Sequence, residues 1–324
     1  MRKINKILIT GINGSGGSYL ADYILKNHKN IKVHGISRWH STNSDNIYNF
    51  DRKVNLHECD MNDFSSLFYV LKRVKPDCIF HLAAYANVKA SFINPSTVLQ
   101  NNIISTSNIL ESLRILNINP IFQLCSTSEV YGQVKKNEIP INETNPIRPS
   151  SPYAVSKVTQ DLLGYTYFKS YNLNIIRTRM FTYINPRRSD LFATSFARQI
   201  ARIEAGLQDT LFHGNLKSIR TLLDVRDAMR AYWLAAKYCN YGEVYNIGGS
   251  YTISVGEFLD LLISQARVKI KSKVDKNLLR PSDVTLQIPD SSKFIRKTKW
   301  KQMYSVDQSI KFLLGIWRKK YNCE

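Results

Sequence analysis

The chain has 324 residues, 44% of them hydrophobic, enough for a large core in one large domain or two smaller ones and too many for a disordered chain. No apolar run approaches the roughly 20 residues that span a bilayer, and the basic start runs straight into a glycine turn without a small-residue cleavage site, so a cytoplasmic protein is expected. The net charge of +20 would suit a polyanion, but Lys and Arg are spread along the whole chain as solvated surface would be, and neither nucleic acid nor membrane is expected as a partner.

Taken in chain order, the pattern predicts a strand at Lys6–Thr10, a helix at Ser18–Lys26 and a strand at Lys32–Ile36. A helix at Asp63–Lys72, a strand at Cys78–Leu82, a helix at Ser105–Leu116 and a strand at Ile121–Ser126 follow. Strands separated by helices of this length imply an α/β protein with a Rossmann-type doubly wound parallel sheet, which binds ligands beyond the carboxyl ends of its strands. After residue 178 the regularity weakens. Helices are expected at Arg198–Ala205, Val225–Cys239, Val255–Gln265 and Val306–Tyr321, with a late strand at Glu243–Gly249 and an exposed basic strand within Arg267–Lys276. The implied division is a dinucleotide-binding domain (1–178 and 213–250) and a smaller, partly interwoven C-terminal substrate domain (179–212 and 251–324).

Cys59, Cys78, Cys125, Cys239 and Cys323 are scattered, odd in number and without Cys-x-x-Cys spacing, which supports neither a disulfide framework nor a metal site. Cys78 and Cys125 sit inside apolar runs and read as small buried hydrophobes.

Between the first strand and helix, Gly11, Gly14 and Gly17 recur every third residue. Gly11 allows a tight turn, Gly14 lets the backbone approach a pyrophosphate, and Gly17 permits close helix–strand packing with phosphates at the helix N-terminus. An acidic residue closing the second strand would bind the ribose hydroxyls of NAD. This chain has Ser37-Arg38 there, and a guanidinium suits the 2′-phosphate of NADP. Asp60 reads as an adenine contact or a helix N-cap, with Asp63 competing for the cap.

Tyr153 and Lys157 are four apart, hence one turn apart on one face of a helix. An ammonium near a phenol favours phenolate and would make Tyr153 a usable base for a sugar hydroxyl. A chain with 18 tyrosines offers such spacing by chance, so its weight comes from the preceding Arg148-Pro-Ser-Ser-Pro152 and from the glycine turn upstream.

With these segments in place the chain resembles the extended short-chain dehydrogenase/reductase family. It looks most like the GDP-mannose 4,6-dehydratases and the related GDP-4-keto-6-deoxymannose reductases. The segments that carry the likeness are Thr10–Leu20, His81–Ala84, Ser126–Gly132, Ser151–Lys157, Asn185–Arg188, Gly214–Leu216, Asp224–Asp227 and Arg280–Asp283. The resemblance adds Asn13, Leu82 and Ala83 to the cofactor contacts. It makes Tyr153 the base for oxidation at C4, with hydride passing to NADP, and Lys157 its partner and ribose anchor. Glu129 would remove the C5 proton, Thr127 would bond the 4-oxygen, and Ser128 would sit near the departing 6-hydroxyl before the hydride returns to C6. A 4-keto reductase or an epimerase of the same family is the alternative. The reductases tend to read Ser-Ser-Glu where this chain reads Thr127-Ser128-Glu129.

The resemblance also places Asn185, Arg187, Arg220, Arg280 and Asp283 at the substrate, the two arginines Arg220 and Arg280 gripping its diphosphate. Arg187 and Arg188 match a pair near the cofactor and the subunit contact, which implies a homodimer or homotetramer. Thr182-Tyr183 stands where the family has a substrate-contacting asparagine, and Arg220-Thr221 where it reads Arg-Asp. Those departures leave a GDP-linked hexose, an N-acetylated one or a heptose as substrates that fit the same chemistry.

Overall fold

The computed structural model describes residues 2–38, 46–47, 51–279 and 281–322; Arg280 and Cys323 lie outside them. The chain opens with β1 (Lys6–Thr10), α1 (Ser15–Asn27), β2 (Lys32–Ser37), β3 (Asn55–Glu58), α2 (Phe64–Val74) and β4 (Cys78–His81). It continues with α3 (Val88–Ile93), α4 (Pro95–Ile115), β5 (Ile121–Thr127), α5 (Pro152–Tyr171), β6 (Ile175–Met180) and β7 (Tyr183–Ile184). Next come α6 (Phe192–Glu204), β8 (Thr210–His213), β9 (Ile219–Asp224), α7 (Val225–Tyr238), β10 (Val244–Ile247), β11 (Tyr251–Ser254) and α8 (Val255–Ile263). The last elements are β12 (Lys271–Val274), β13 (Leu286–Gln287), α9 (Ser292–Thr298) and α10 (Val306–Lys320).

Seven strands form one parallel sheet in the order β10-β6-β5-β4-β1-β2-β3. Ile7, Leu8 and Ile9 of β1 are all fully buried, as a strand covered on both faces requires. The order reverses between β1 and β4, and the crevice at that switch point lies beside the glycine turn. The expected doubly wound sheet is therefore present.

Local signals fix the helices that carry the site. Asp63 caps α2 by accepting the Ser66 amide at 3.2 Å, so Asp63 and not Asp60 is the N-cap. Ser151 caps α5 through the Ala154 amide at 3.1 Å, Pro152 opens its first turn, and Asn172 ends it in the left-handed conformation. Helix α4 starts at Pro95, well before the predicted Ser105. Its buried face carries Asn102, Ser105 and Thr106, so the apolar periodicity that reveals most helices is missing there.

A second core gathers α6, α8 and α10 around Phe196, Phe258, Leu313 and Trp317. Over it lies a small sheet in which β9 pairs with β11 and β13, with β7 alongside. Residues 213–224 were expected in the dinucleotide-binding part, but β9 belongs to this small sheet. Leu223 near the end of β9 already packs in the large core, and α7 follows with Ala228, Met229 and Ala235. The basic strand β12 is exposed at every residue, as expected, and pairs with β8. Cys78 and Cys125 are buried. No helix among the described residues is long and apolar enough to cross a membrane.

Behind the sheet, Asp161 of α5 is fully buried and holds Arg177 and Arg179 of β6, each at 2.9 Å. Removing the carboxylate leaves two guanidinium groups in an apolar interior. Asp161→Ala is expected to cost about 3–5 kcal/mol, read as a drop in the urea unfolding midpoint. A loss below about 1 kcal/mol would show that water reaches the pair.

Candidate active site

A cleft of about 520 Å³ opens at the carboxyl ends of the parallel strands, against the small sheet. The glycine turn forms one wall. Gly11 adopts φ +65°, and its amide donates to Ile36 O at 3.0 Å. A Cβ on Gly17 would lie 2.4 Å from the Gly11 carbonyl oxygen, so only glycine lets α1 approach this closely. Helix α1 begins at Ser15 after Gly14, which supplies no side-chain cap, and has no acidic residue in its first turn, a terminus suited to an anion.

A side chamber of about 160 Å³ continues from the turn past Asn13, Ser37, Arg38, Asp60 and Ala83. Arg38 lies 5.2 Å from the centre of the Tyr85 ring, and Asp60 accepts the Asn62 amide at 2.9 Å. Asn13 Oδ1 here and Ser126 Oγ in the main cleft are buried without a partner in the protein. Such atoms in a concave polar wall fit a ligand with hydroxyl and amide donors. Leu82 lines the main cleft rather than this chamber.

The reactive groups come from two adjoining elements. Strand β5 ends at Thr127, whose hydroxyl accepts the Glu129 amide at 3.3 Å and so shapes the one-turn helix Ser128–Tyr131. Thr127 also hydrogen-bonds Tyr153 on α5. Ser128 is buried at the cleft wall. Glu129 receives a hydrogen bond at 3.2 Å from Gln287 of β13, a partner 158 residues away.

Burial pushes the Tyr153 phenol up to about 12, opposed chiefly by the Arg188 charge, while Glu129 adds to the rise. Lys157 donates to the Cys125 carbonyl at 2.6 Å, and burial brings its ammonium down to about 8. The four-residue spacing predicts that Lys157 lowers the phenol. In the structure its proton is directed at the β5 backbone, and the cation that favours phenolate is Arg188.

The outlying residues divide. Asn185 is fully buried and does not reach the cleft. It donates to Ser15 O at 3.2 Å and accepts the Arg187 amide at 2.9 Å, so it steadies the glycine loop instead of touching a substrate. Arg187 lines the cleft on the α1 side, paired with Asp22 at 2.6 Å and lying over Tyr19. Arg188 pairs with Asp190 at 3.1 Å and donates to Ala86 O at 2.7 Å. Arg220 faces both the cleft and an adjoining chamber of about 150 Å³ that also includes Asp283. Asp283 accepts from Asn215 at 2.8 Å and Ser218 at 3.1 Å. Arg280 lies outside the described residues. Thr182 and Tyr183, which replace the family's asparagine, line the cleft; Gln287 has no motif around it, and only the pairing of the small sheet brings it to Glu129.

A parallel sheet of this order, with a glycine turn at its switch point and a Tyr-x-x-x-Lys helix beside it, defines an extended short-chain dehydrogenase/reductase. The family model for GDP-mannose 4,6 dehydratase matches residues 8–313, and the chain belongs to that family. A GDP-mannose 4,6-dehydratase of Yersinia enterocolitica is 32% identical, covering 94% of this chain and 91% of its own. A GDP-6-deoxy-D-mannose reductase of Pseudomonas aeruginosa is 27% identical over 97% of this chain and 98% of its own. Among solved structures, RMD from Pseudomonas aeruginosa complexed with NADPH superposes with a TM-score of 0.84 at 27% identity, covering 98% of this chain and 99% of that one.

The contact at Gly17 generates a test. Gly17→Ala forces α1 away from the Gly11 carbonyl and should weaken dinucleotide binding at least about tenfold, or ~1.4 kcal/mol, in a fluorescence titration. Unchanged affinity would mean that the turn does not hold the pyrophosphate.

Proposed function

We propose that the protein is an NADP-dependent nucleotide-sugar 4,6-dehydratase acting on GDP-mannose or a related GDP-hexose. The observation that carries this reading is the meeting of Tyr153, Thr127 and Glu129 in one cleft, with the carboxylate near enough to act on the phenol electrostatically. A phenol and a carboxylate at one sugar ring supply two bases, and dehydration needs two: one for O4 and one for C5.

The cofactor is assigned to the glycine turn and the side chamber, with Gly11, Asn13, Gly14 and Gly17 at the pyrophosphate and Arg38 at the 2′-phosphate. Asp60 and Ala83 lie at the adenosine end, and Leu82 and Lys157 at the nicotinamide riboside. Bound there, NADP supplies a hydride acceptor at C4 and a hydride donor at C6. Tyr153 takes the proton of the 4-hydroxyl, with Thr127 orienting that oxygen and Arg188 stabilising the phenolate. The C4 ketone acidifies the neighbouring C–H, and Glu129 removes the C5 proton. The 6-hydroxyl leaves beside Ser128 as water, carrying the proton that Glu129 took from C5, and C5 regains a proton from solvent as the hydride returns to C6, while the proton taken by Tyr153 is released to solvent. The sugar gains a carbonyl at C4 and loses its oxygen at C6, so the turnover has no net redox. Arg220 is assigned to the diphosphate, and Asp283 to the chamber that takes the nucleoside.

The reductase reading has one observation in its favour, the likeness to a GDP-6-deoxy-D-mannose reductase over nearly the whole chain. We favour the dehydratase on position 127, where this chain has threonine and the reductases tend to have serine; the glutamate stands in both patterns. The division into dinucleotide-binding and nucleotide-sugar-binding parts, the cytoplasmic location and a homodimer or homotetramer belong to the same proposal.

With catalytic NADP the protein should convert a GDP-hexose to its 4-keto-6-deoxy product without net NADPH consumption, followed by mass spectrometry. NADPH oxidation with a 4-keto-sugar and no dehydration of any GDP-hexose would establish the reductase instead. Glu129→Gln should stop water loss yet retain slow cofactor reduction at 340 nm; loss of both half-reactions counts against the role given to Glu129.

The ammonium of Lys157, assigned to the nicotinamide riboside and not to the phenol, gives a pH dependence. Its ammonium is protonated below about 8 and neutral above it. Turnover should therefore decline as pH rises through that value, and Lys157→Arg, which keeps its charge, should move the decline to higher pH. A wild-type profile flat from pH 7 to about 10 would show that the charge is not needed.

A further inference from the structure

We infer that Gln287 is the positioning residue that holds the Glu129 carboxylate in line with the C5 proton, and that it links this alignment to the diphosphate grip at Arg220. The inference rests on the dehydratase reading.

Four observations carry it. First, Gln287 is only 2% exposed, yet its amide emerges at the cleft wall and donates to Glu129 Oε1 at 3.2 Å. A neutral amide orients a carboxylate without setting a full positive charge against it, which would weaken it as a base. Second, β13 is too short to be rigid alone and is stitched on both sides. Toward the small sheet, Leu286 and Gln287 pair with Ile219 and Arg220 of β9, and the Ile219 amide donates to Thr285 O at 2.7 Å.

Third, toward the large sheet, Gln133 Oε1 accepts the Thr285 amide at 2.7 Å and its hydroxyl at 3.1 Å. Ile141 N donates to Ile288 O and Asp290 N donates to Ile141 O, both at 2.7 Å. Gln133 and Ile141 follow the Ser126–Gly132 segment that carries Glu129, so amide and carboxylate are fixed to one frame. Fourth, Gln287 lies directly opposite Arg220 in the pairing, and the Arg220 guanidinium donates to Val284 O, two residues before that strand begins. Whatever binds Arg220 therefore acts on the strand that aims Glu129. Remote binding energy spent in this way raises the rate of a step instead of merely tightening substrate.

The test compares Gln287→Leu, which keeps the volume and removes the donor, with Gln287→Asn, which retracts the amide by one methylene. Single turnovers with GDP-mannose and NADP in D₂O follow cofactor reduction at 340 nm separately from deuterium entry at C5 and product formation. Both variants should lose roughly 10–100-fold in C5 exchange and elimination. Cofactor reduction, KM and melting temperature should stay close to wild type. In ¹⁵N-labelled protein the Gln287 side-chain amide signals, assigned by their loss in Gln287→Leu, should shift in Glu129→Gln.

Amide signals that ignore Glu129→Gln, or elimination unchanged in both variants, overturns the inference. An equal fall in both half-reactions with a lower melting temperature overturns it too, because that is what general loosening of β13 would do. A wild-type protein that dehydrates no GDP-hexose brings down the dehydratase reading, and this inference with it. A wild type that dehydrates while the variants match it brings down the inference alone.

Discussion

The site depends on one polar seam buried between α4, α5 and the ends of β1 and β4. The Ala83 amide donates to Thr10 Oγ1, which meets His81 Nδ1 at 3.0 Å, while His81 Nε2 meets Thr106 Oγ1 at 2.9 Å. Thr106 donates to Asn102 O, Asn102 donates to Ser156 Oγ, and Ser156 donates to Tyr153 O. Burial and the nearby Lys157 hold His81 down to about 3, so it is a neutral imidazole throughout the physiological range. The neutral ring has one N–H and one bare nitrogen, so His81 bridges Thr10 and Thr106 as donor to one hydroxyl and acceptor from the other. The seam connects the switch point of the sheet to the turn of α5 that bears Tyr153 and Lys157. Each bond is worth about 1 kcal/mol, but an orphaned member costs about 1–3 kcal/mol, so the helix has one well-defined seat.

That seat explains the electrostatics in front of it. Tyr153 and Lys157 are both taken out of water, and burial alone disfavours the charged form of each. The fold does not solve this by pairing them with each other. Lys157 turns back to the Cys125 carbonyl, and Arg188 enters from the chain after β7 to favour the phenolate. The pair that identifies the family from sequence is thus completed by a cation from another segment.

The legibility of the sequence follows from the same division. The sheet was readable because β1, β4 and β5 are apolar runs between helices, and the glycine turn because the 2.4 Å approach at Gly17 tolerates no other residue. Helix α4 was half legible, since its buried face is polar. The small sheet was not: β7 and β13 have two residues each, too few for any period to register, and no strand is predicted at β9, whose stretch falls with α7 in the 213–250 part. Asn185 sat in a family motif and was read as a ligand contact, but a motif residue also survives by holding a turn, as its bonds to Ser15 and Arg187 do. Gln287 had no local signal because its role exists only across 158 residues of sequence.

The positive charge of the cleft follows from what it has to bind. A dinucleotide and a nucleotide diphosphate both bring phosphates, and Arg187, Arg188 and Arg220 all line the space between. Yet Arg187 is held by Asp22, Arg188 by Asp190 and Ala86 O, and Arg220 by the carbonyls of Ile219 and Val284. A guanidinium has five donors in a fixed plane, so one edge can be anchored while another meets a phosphate. Holding the arginines in advance removes part of the side-chain entropy that a free surface arginine would lose on binding. Each of these cations is also tied to a definite element, Arg187 to α1 through Asp22, and Arg220 to β9 and to the segment that leads into the strand of Gln287. Under the proposed assignment, a phosphate bound at either arginine would meet a cation whose position the backbone already sets.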